Sequence, residues 1–242
     1  MNALWAVLRY TYRTIKLFIP LYIYLTHLPK NTKLIKLVIP WLTSNLVPSQ
    51  NPLKDKVPWI TFEAQSWLKE YLSKNMVVFE YGSGGSTLFF SKRVKKLISV
   101  EHDNIWYSRV FDILKDENIS NCTYLLFKPQ LAFDNQPDFT DPYGFTSNSP
   151  EYTNMSFETY VKTLDKFPDN SFDLVFIDGR TRPSCILHAL DKVRPGGFLM
   201  LDNSEREYYL AGIKLLADWK RTDFFGPGPY GRYFWQTSIW KK

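Results

Sequence analysis

Glu80, Glu101, Asp178 and the pair Asp202-Asn203 are the residues of this chain best placed to do chemistry. Each ends a short apolar run: Val77-Val78-Phe79, Leu97-Ile98-Ser99-Val100, Phe172 to Ile177 and Phe198 to Leu201. Each is therefore expected at the carboxyl end of a strand, the edge where open α/β sheets bind ligands. Glu80 opens into Tyr81-Gly82-Ser83-Gly84-Gly85-Ser86-Thr87. Glycines without Cβ let the backbone approach a ligand closely, and the free N–H groups of a following helix start attract a carboxylate or phosphate. Glu101 follows nineteen positions after Gly82, the distance at which an acid bonds ribose hydroxyls in a doubly wound βαβ unit. Together these features point to a nucleotide-like cofactor.

Three other chemistries use a strand, a glycine turn and a helix. A phosphate-binding P-loop needs a lysine that Gly85 is not followed by. A nucleophile elbow needs G-x-S-x-G, but Tyr81 stands two residues before Ser83 and Leu88 two residues after Ser86. A dinucleotide fingerprint needs a third small residue where Thr87 stands, which weakens a nicotinamide reading without removing it.

Glu80 to Ser86 resembles the first motif of the class I S-adenosylmethionine-dependent methyltransferases, and Val100-Glu101-His102-Asp103 resembles the acidic end of their second strand. Arg194-Pro195-Gly196-Gly197, leading into an apolar strand, is similar to a later signature of the same family. The resemblance covers about three quarters of the chain, from Val57 onward. It implies S-adenosylmethionine as cofactor, with Glu80 near its amino group and the turn through Gly82, Ser83, Gly84 and Ser86 at its carboxylate. Glu101 would hold the ribose and His102 would lie against the adenine. Asp178 with Asp202-Asn203 also resembles the metal-dependent O-methyltransferases, in which two Asp and one Asn hold a divalent cation. Oxygen-only ligands suit Mg²⁺ or a similar hard ion. That family's lysine, three residues after the first Asp, is replaced here by Thr181 between Arg180 and Arg182. The alternative is a metal-free site in which Asp178 is the base and Arg180 or Arg182 positions an anionic substrate.

These residues must be held by a particular framework. A chain of 242 residues accommodates one α/β domain of ordinary size and an appendage. Residues 1–56 carry eight Lys/Arg and one acid, whereas residues 57–242 are almost balanced. The N-terminal basic residues are interleaved with Leu, Ile, Tyr and Trp, which suits an anionic membrane surface better than nucleic acid. Ile15-Lys16-Leu17-Phe18-Ile19-Pro20 recurs as Ile35-Lys36-Leu37-Val38-Ile39-Pro40, each copy ending in a helix-breaking proline. Leu17 to Leu25 is too short to span a bilayer and no cleavage pattern follows it. The extension is expected to be helical, and its contact is left open between a membrane surface, a second subunit and the catalytic domain.

Residues 57–242 are expected to form a doubly wound, Rossmann-like α/β sheet, mostly parallel with an antiparallel last strand. The pattern gives a helix at Thr61 to Leu72 capped by Thr61, strands ending at the acids above, and a strand at Thr123 to Phe127. A helix near Tyr208 to Trp219 and two closing strands across Gly226-Pro227-Gly228-Pro229 complete it. Cys122 and Cys185 lack metal-ligand spacing and fit a reducing, cytoplasmic setting; His27 and His188 are assigned to structure.

The connection Lys128 to Asn154 mixes Phe133, Phe139, Tyr143, Phe145 and Tyr152 with Asp134, Asp138 and Asp141. Such a loop could stack on a polyhydroxylated ring and accept from its hydroxyls, or simply fold onto the sheet. The expected function is methyl transfer to a hydroxyl of a sugar, glycan or other small molecule. The rivals are a nicotinamide-dependent oxidoreductase and a non-catalytic, membrane-associated module on the same fold.

Overall fold

The computed structural model describes residues 11, 21–22, 24–26, 32–46, 51–132 and 138–242. A 3-10 turn, Thr32–Leu37, runs into helix α1, Val38–Leu46. Pro40 does not end this helix: it stands in the first turn, where a missing N–H leaves no bond unmade. The other copy of the repeat, Ile15 to Pro20, and His27, Phe133 and Asp134 lie outside the described residues.

The domain that follows alternates strand and helix: α2, Phe62–Tyr71; β1, Val77–Tyr81; α3, Gly85–Ser91; β2, Lys96–Glu101; α4, Asn104–Asp116; β3, Cys122–Leu126; β4, Phe172–Ile177; α5, Arg182–Ala189; β5, Val193–Asp202; α6, Leu210–Lys214; β6, Lys220–Gly226; and β7, Trp235–Lys241. The seven strands form one sheet in the order β3-β2-β1-β4-β5-β7-β6. The first five run parallel, and β7 pairs antiparallel with both β5 and β6. The strand order reverses beside β1, between its neighbours β2 and β4. A doubly wound sheet opens its ligand crevice at such a reversal, outside the carboxyl ends.

Side-chain alternation sorts the core into two layers. Phe79 and Tyr81 face one layer with Val100, Val175, Ile177 and Ile186 of α5. Val78 faces the other with Leu174, Phe176, Met200, Leu68 of α2 and Phe90 of α3. Both faces of the parallel strands are thus apolar, so the strand ends are the places where polar groups can gather.

Two expected elements differ in detail. The helix at Thr61 begins at Phe62, but Thr61 gives it no side-chain cap; its N–H instead donates to Thr237 Oγ1 at 3.2 Å. The helix expected over Tyr208 to Trp219 is only the 3-10 turn Glu207–Tyr209 and the five-residue α6. Gly212 in α6 packs directly on Pro183, and no side chain larger than hydrogen fits between them.

The described part of the N-terminal extension packs against the domain. Trp41 is fully buried with Tyr24 and Leu34, against Phe62 and Phe234. Its indole N–H donates to Gly231 O at 2.9 Å, and Asn45 Nδ2 donates to the same oxygen at 3.1 Å. Among the described residues no helix is long and apolar enough to cross a membrane.

Candidate functional site

Gly82 leaves β1 with φ +87, and a Cβ there would stand 2.7 Å from Gly179 Cα and N, on the loop after β4. The two backbones touch because neither carries a side chain at the contact, and the chain leaves the strand in a conformation other residues rarely adopt. The next residue, Ser83, donates its N–H and its hydroxyl to Glu101 Oε2, at 3.0 and 2.7 Å. Glu101 Oε1 accepts from the N–H groups of His102 and Asp103, at 2.8 and 2.9 Å. Burial would raise the Glu101 carboxyl, but contact with His102 and these donors outweigh it and hold the group below its ordinary value.

Around this turn lies a cleft of about 640 Å³ lined by Gly82, Ser83, Glu101, His102, Ile105, Trp106, Arg109, Tyr152, Asp178 and Arg180, among others. Its volume is in the range of small-molecule sites. Four of the expected cofactor residues, Gly82, Ser83, Glu101 and His102, meet in it. Glu80, Gly84 and Ser86 do not line it. The Glu80 carboxylate is fully buried below the turn, where Oε2 accepts from Thr87 Oγ1 at 2.6 Å and Ser99 Oγ at 2.5 Å. Its place follows from register, since Glu80 shares the face of Val78 and is the cross-strand partner of Ser99. Gly84 donates its N–H to Thr87 Oγ1, and Ser86 is buried within α3. These residues shape the turn from beneath.

A second cavity, of about 560 Å³, is lined by Trp59, Asp178, Asp202, Asn203, Glu205, Arg206 and the segment Gly231 to Trp235. Asp178 and Trp59 line both spaces. Sequence reasoning missed the aromatic wall of Trp59, Tyr233, Phe234 and Trp235, and assigned that part to the connection Lys128 to Asn154. In that connection Asp138 and Asp141 instead accept from nearby backbone N–H groups, Thr140 and Tyr143, and Phe145 packs on the core. Its contribution to the cleft is Glu151 and Tyr152.

Arg182, in the first turn of α5, is buried at 7 % exposure. Nη2 donates to Asp178 Oδ1 at 2.9 Å and Asp178 O at 3.2 Å, Nη1 to Asp202 O at 2.5 Å, and Nε to Gly179 O at 3.0 Å. All three nitrogens are committed inside the protein, so Arg182 is not the arm for an anionic substrate that its sequence position suggests. Arg180 is the accessible one: it reaches Glu151 Oε1 at 3.4 Å and lies 5.5 Å from the Tyr152 ring.

One oxygen of each carboxylate in the expected metal set is already engaged. Asp178 Oδ1 is held by Arg182, and Asp202 Oδ1 accepts from Trp235 Nε1 at 3.0 Å and Thr237 Oγ1 at 2.6 Å. Burial raises both carboxyls; Asp178 raises Asp202 further and Glu80 raises Asp178, while Arg182 opposes both rises. With a guanidinium already bonded at both strand ends, the set does not fit a divalent ion as it stands. The cleft, in contrast, has the parts that S-adenosylmethionine requires: a close glycine turn for a carboxylate and acids for a hydroxylated, positively charged ligand. Ile105, Trp106 and Tyr152 add apolar and ring surface for a base.

No family model matches the chain, and no curated protein matches it. Solved structures do resemble it. The O-methyltransferase TomG from Streptomyces achromogenes, involved in tomaymycin synthesis and solved with S-adenosylmethionine, aligns over 83 % of this chain and 93 % of its own with a TM-score of 0.54 at 15 % identity. A candidate O-methyltransferase from Klebsiella pneumoniae covers the same shares with a TM-score of 0.53 at 16 % identity. Cofactor-bound Rv0187 from MTB again covers 83 % and 93 %, at 0.52 and 17 %. The chain has the class I Rossmann-like methyltransferase fold.

Proposed function

We propose that this chain is an S-adenosylmethionine-dependent methyltransferase acting on a hydroxyl oxygen, with a sugar or glycan as the preferred acceptor. The observation that carries the reading is the meeting of two cavities at Asp178 and Trp59, one built around the Gly82 turn and Glu101, the other walled by aromatic rings. Gly82, Ser83, Glu101, His102 and Tyr152 would hold the cofactor. When bound, it supplies an electrophilic methyl group on a sulfonium.

An alcohol is a poor nucleophile until its proton leaves, so the site needs a base beside the acceptor. Among the described residues, Asp178 is the one carboxylate lining both cavities. Arg182 engages its Oδ1, and the raised basicity from burial suits Oδ2 to accept the hydroxyl proton near neutrality. Trp59, Tyr233, Phe234 and Trp235 offer ring faces to the C–H surfaces of a sugar and exclude water, while Asn203, Glu205 and Arg206 can bond its hydroxyls. Holding both reactants across one shared wall provides the near-attack geometry an in-line displacement needs.

Titration calorimetry of the full chain with S-adenosylhomocysteine tests the cofactor. Absence of heat in wild type, or equal affinity in Glu101→Ala, would count against it. Transfer of radiolabelled methyl to a panel of glycans tests the acceptor. Residues 1–56 carry the chain's excess positive charge, and the described part of this extension exposes Tyr22, Leu25, Ile35 and Ile39. These features support a peripheral contact with an anionic membrane. Flotation with anionic but not neutral liposomes is the expected outcome, and no flotation with either would refute it.

A further inference from the structure

We propose that the Arg182 guanidinium is the resident cation at the junction of the cofactor cleft and the acceptor cavity, standing where a divalent metal would serve the Asp178 and Asp202 strand ends. The inference concerns how the proposed methyltransferase site is charged and rests on that reading only for the identity of the site.

The geometry is that of a cation held at the junction of two strands. Arg182 bonds the carboxylate and carbonyl of Asp178 at the end of β4, the carbonyl of Asp202 at the end of β5, and the carbonyl of Gly179. A hard divalent ion in this place would have to take the second oxygen of each carboxylate and Asn203 while lying against the guanidinium. One Asp178 oxygen and one Asp202 oxygen already accept from N–H or O–H groups, and the nearby carbonyls face the guanidinium. Charge leads to the same conclusion. The guanidinium offsets one of two buried carboxylates, and a divalent ion added beside it would reverse the sign of the cluster while facing a fixed like charge.

The local backbone explains why residue 182 fills this place. Thr181 sits at the start of α5 in the left-handed region, φ 48, with its hydroxyl 3.9 Å from Cys185 Sγ. Its side chain therefore lies along the helix, and the next residue turns its guanidinium back under the strand ends. Arg182 so acts as a positioning residue: it fixes Oδ1 of Asp178 and leaves Oδ2 to the cavities.

Electron paramagnetic resonance of Mn²⁺ with the full chain, with and without S-adenosylhomocysteine, tests this directly. Wild type is expected to bind no Mn²⁺ in a manner that Asp178→Asn abolishes. Arg182→Met is expected to gain one Mn²⁺ site, weakened about tenfold or more when Asp178→Asn is added, whereas Arg182→Lys, which keeps a cation, gains none. Wild-type binding lost in Asp178→Asn would overturn the proposal, as would a folded Arg182→Met without a site. Should Arg182→Met not fold, the comparison of wild type with Asp178→Asn decides alone. Calorimetry with S-adenosylhomocysteine on the same samples separates the two readings, because failure to bind it counts against the methyltransferase, and a wild-type Mn²⁺ signal lost in Asp178→Asn counts against the guanidinium.

Discussion

Glu80→Gln is expected to make the chain more stable at alkaline pH and to change it little in acid. The Glu80 carboxylate is fully buried, with Oε2 bonded to Thr87 and Ser99. Burial raises its pKa from an ordinary 4.5 to about 7, against the opposing pull of the Ser86, Ser99 and Thr87 hydroxyls. A carboxyl raised in the folded state contributes stability that is complete below the unfolded pKa and is lost as pH rises through the folded one. At about 1.4 kcal/mol per pH unit, the loss across this window is about 3 kcal/mol. Glutamine keeps an acceptor for Thr87 and Ser99 and removes the charge. Urea unfolding of both proteins at about pH 5 and about pH 8 measures the effect, since all other titrating groups are shared. The variant's advantage over wild type should grow by about 2 to 3 kcal/mol between the two. A difference that does not change with pH, or one that moves toward wild type, would show that Glu80 is not a buried carboxyl with a raised pKa.

Gly82→Ala places a methyl 2.7 Å from the Gly179 backbone at φ +87, where the left-handed conformation alone costs about 1–2 kcal/mol. S-adenosylhomocysteine affinity measured by calorimetry should fall sharply, and unchanged affinity would contradict the cradle. Trp41→Ala should cost about 3–5 kcal/mol by emptying a buried site, seen as a lower melting temperature. Hydrogen exchange should quicken in residues 230–235, which Trp41 anchors, and stay unchanged in residues 82–87. Asp178→Asn should keep cofactor binding and reduce methyl transfer by about 10²–10⁴-fold; retained transfer would remove Asp178 as the base.

The sheet was readable because each parallel strand is a short apolar run ended by an acid or a glycine turn, and those runs lie at the spacing of βα units. The antiparallel finish was readable from one Gly/Pro turn between two strand patterns. Side-chain direction was harder. Its place before the turn suggests that Glu80 is a cleft residue, but alternation from Val78 places it toward α3, with Ser99 as its neighbour across the strands. The sequence position of Arg182 suggests a free arm, yet its four-residue spacing from Asp178 at the start of a helix equally allows an internal pair. The wall of Trp59 and Tyr233 to Trp235 left no local signal. It depends on Trp41, Asn45 and Gly231 meeting across the full length of the chain, and periodicity carries no information on such contacts. The acids of the long connection looked like acceptor ligands because short-range turn bonds to their own backbone are invisible in composition.

In the proposed site a cofactor cleft and an acceptor cavity share one wall at Asp178 and Trp59. A crystal structure of the full chain with S-adenosylhomocysteine tests it most directly. The ligand is expected along Gly82, Glu101 and His102 with its sulfur at the Asp178 end, facing the cavity of Tyr233 and Trp235. A ligand with its sulfur turned away from Asp178, or bound elsewhere on the chain, would contradict it.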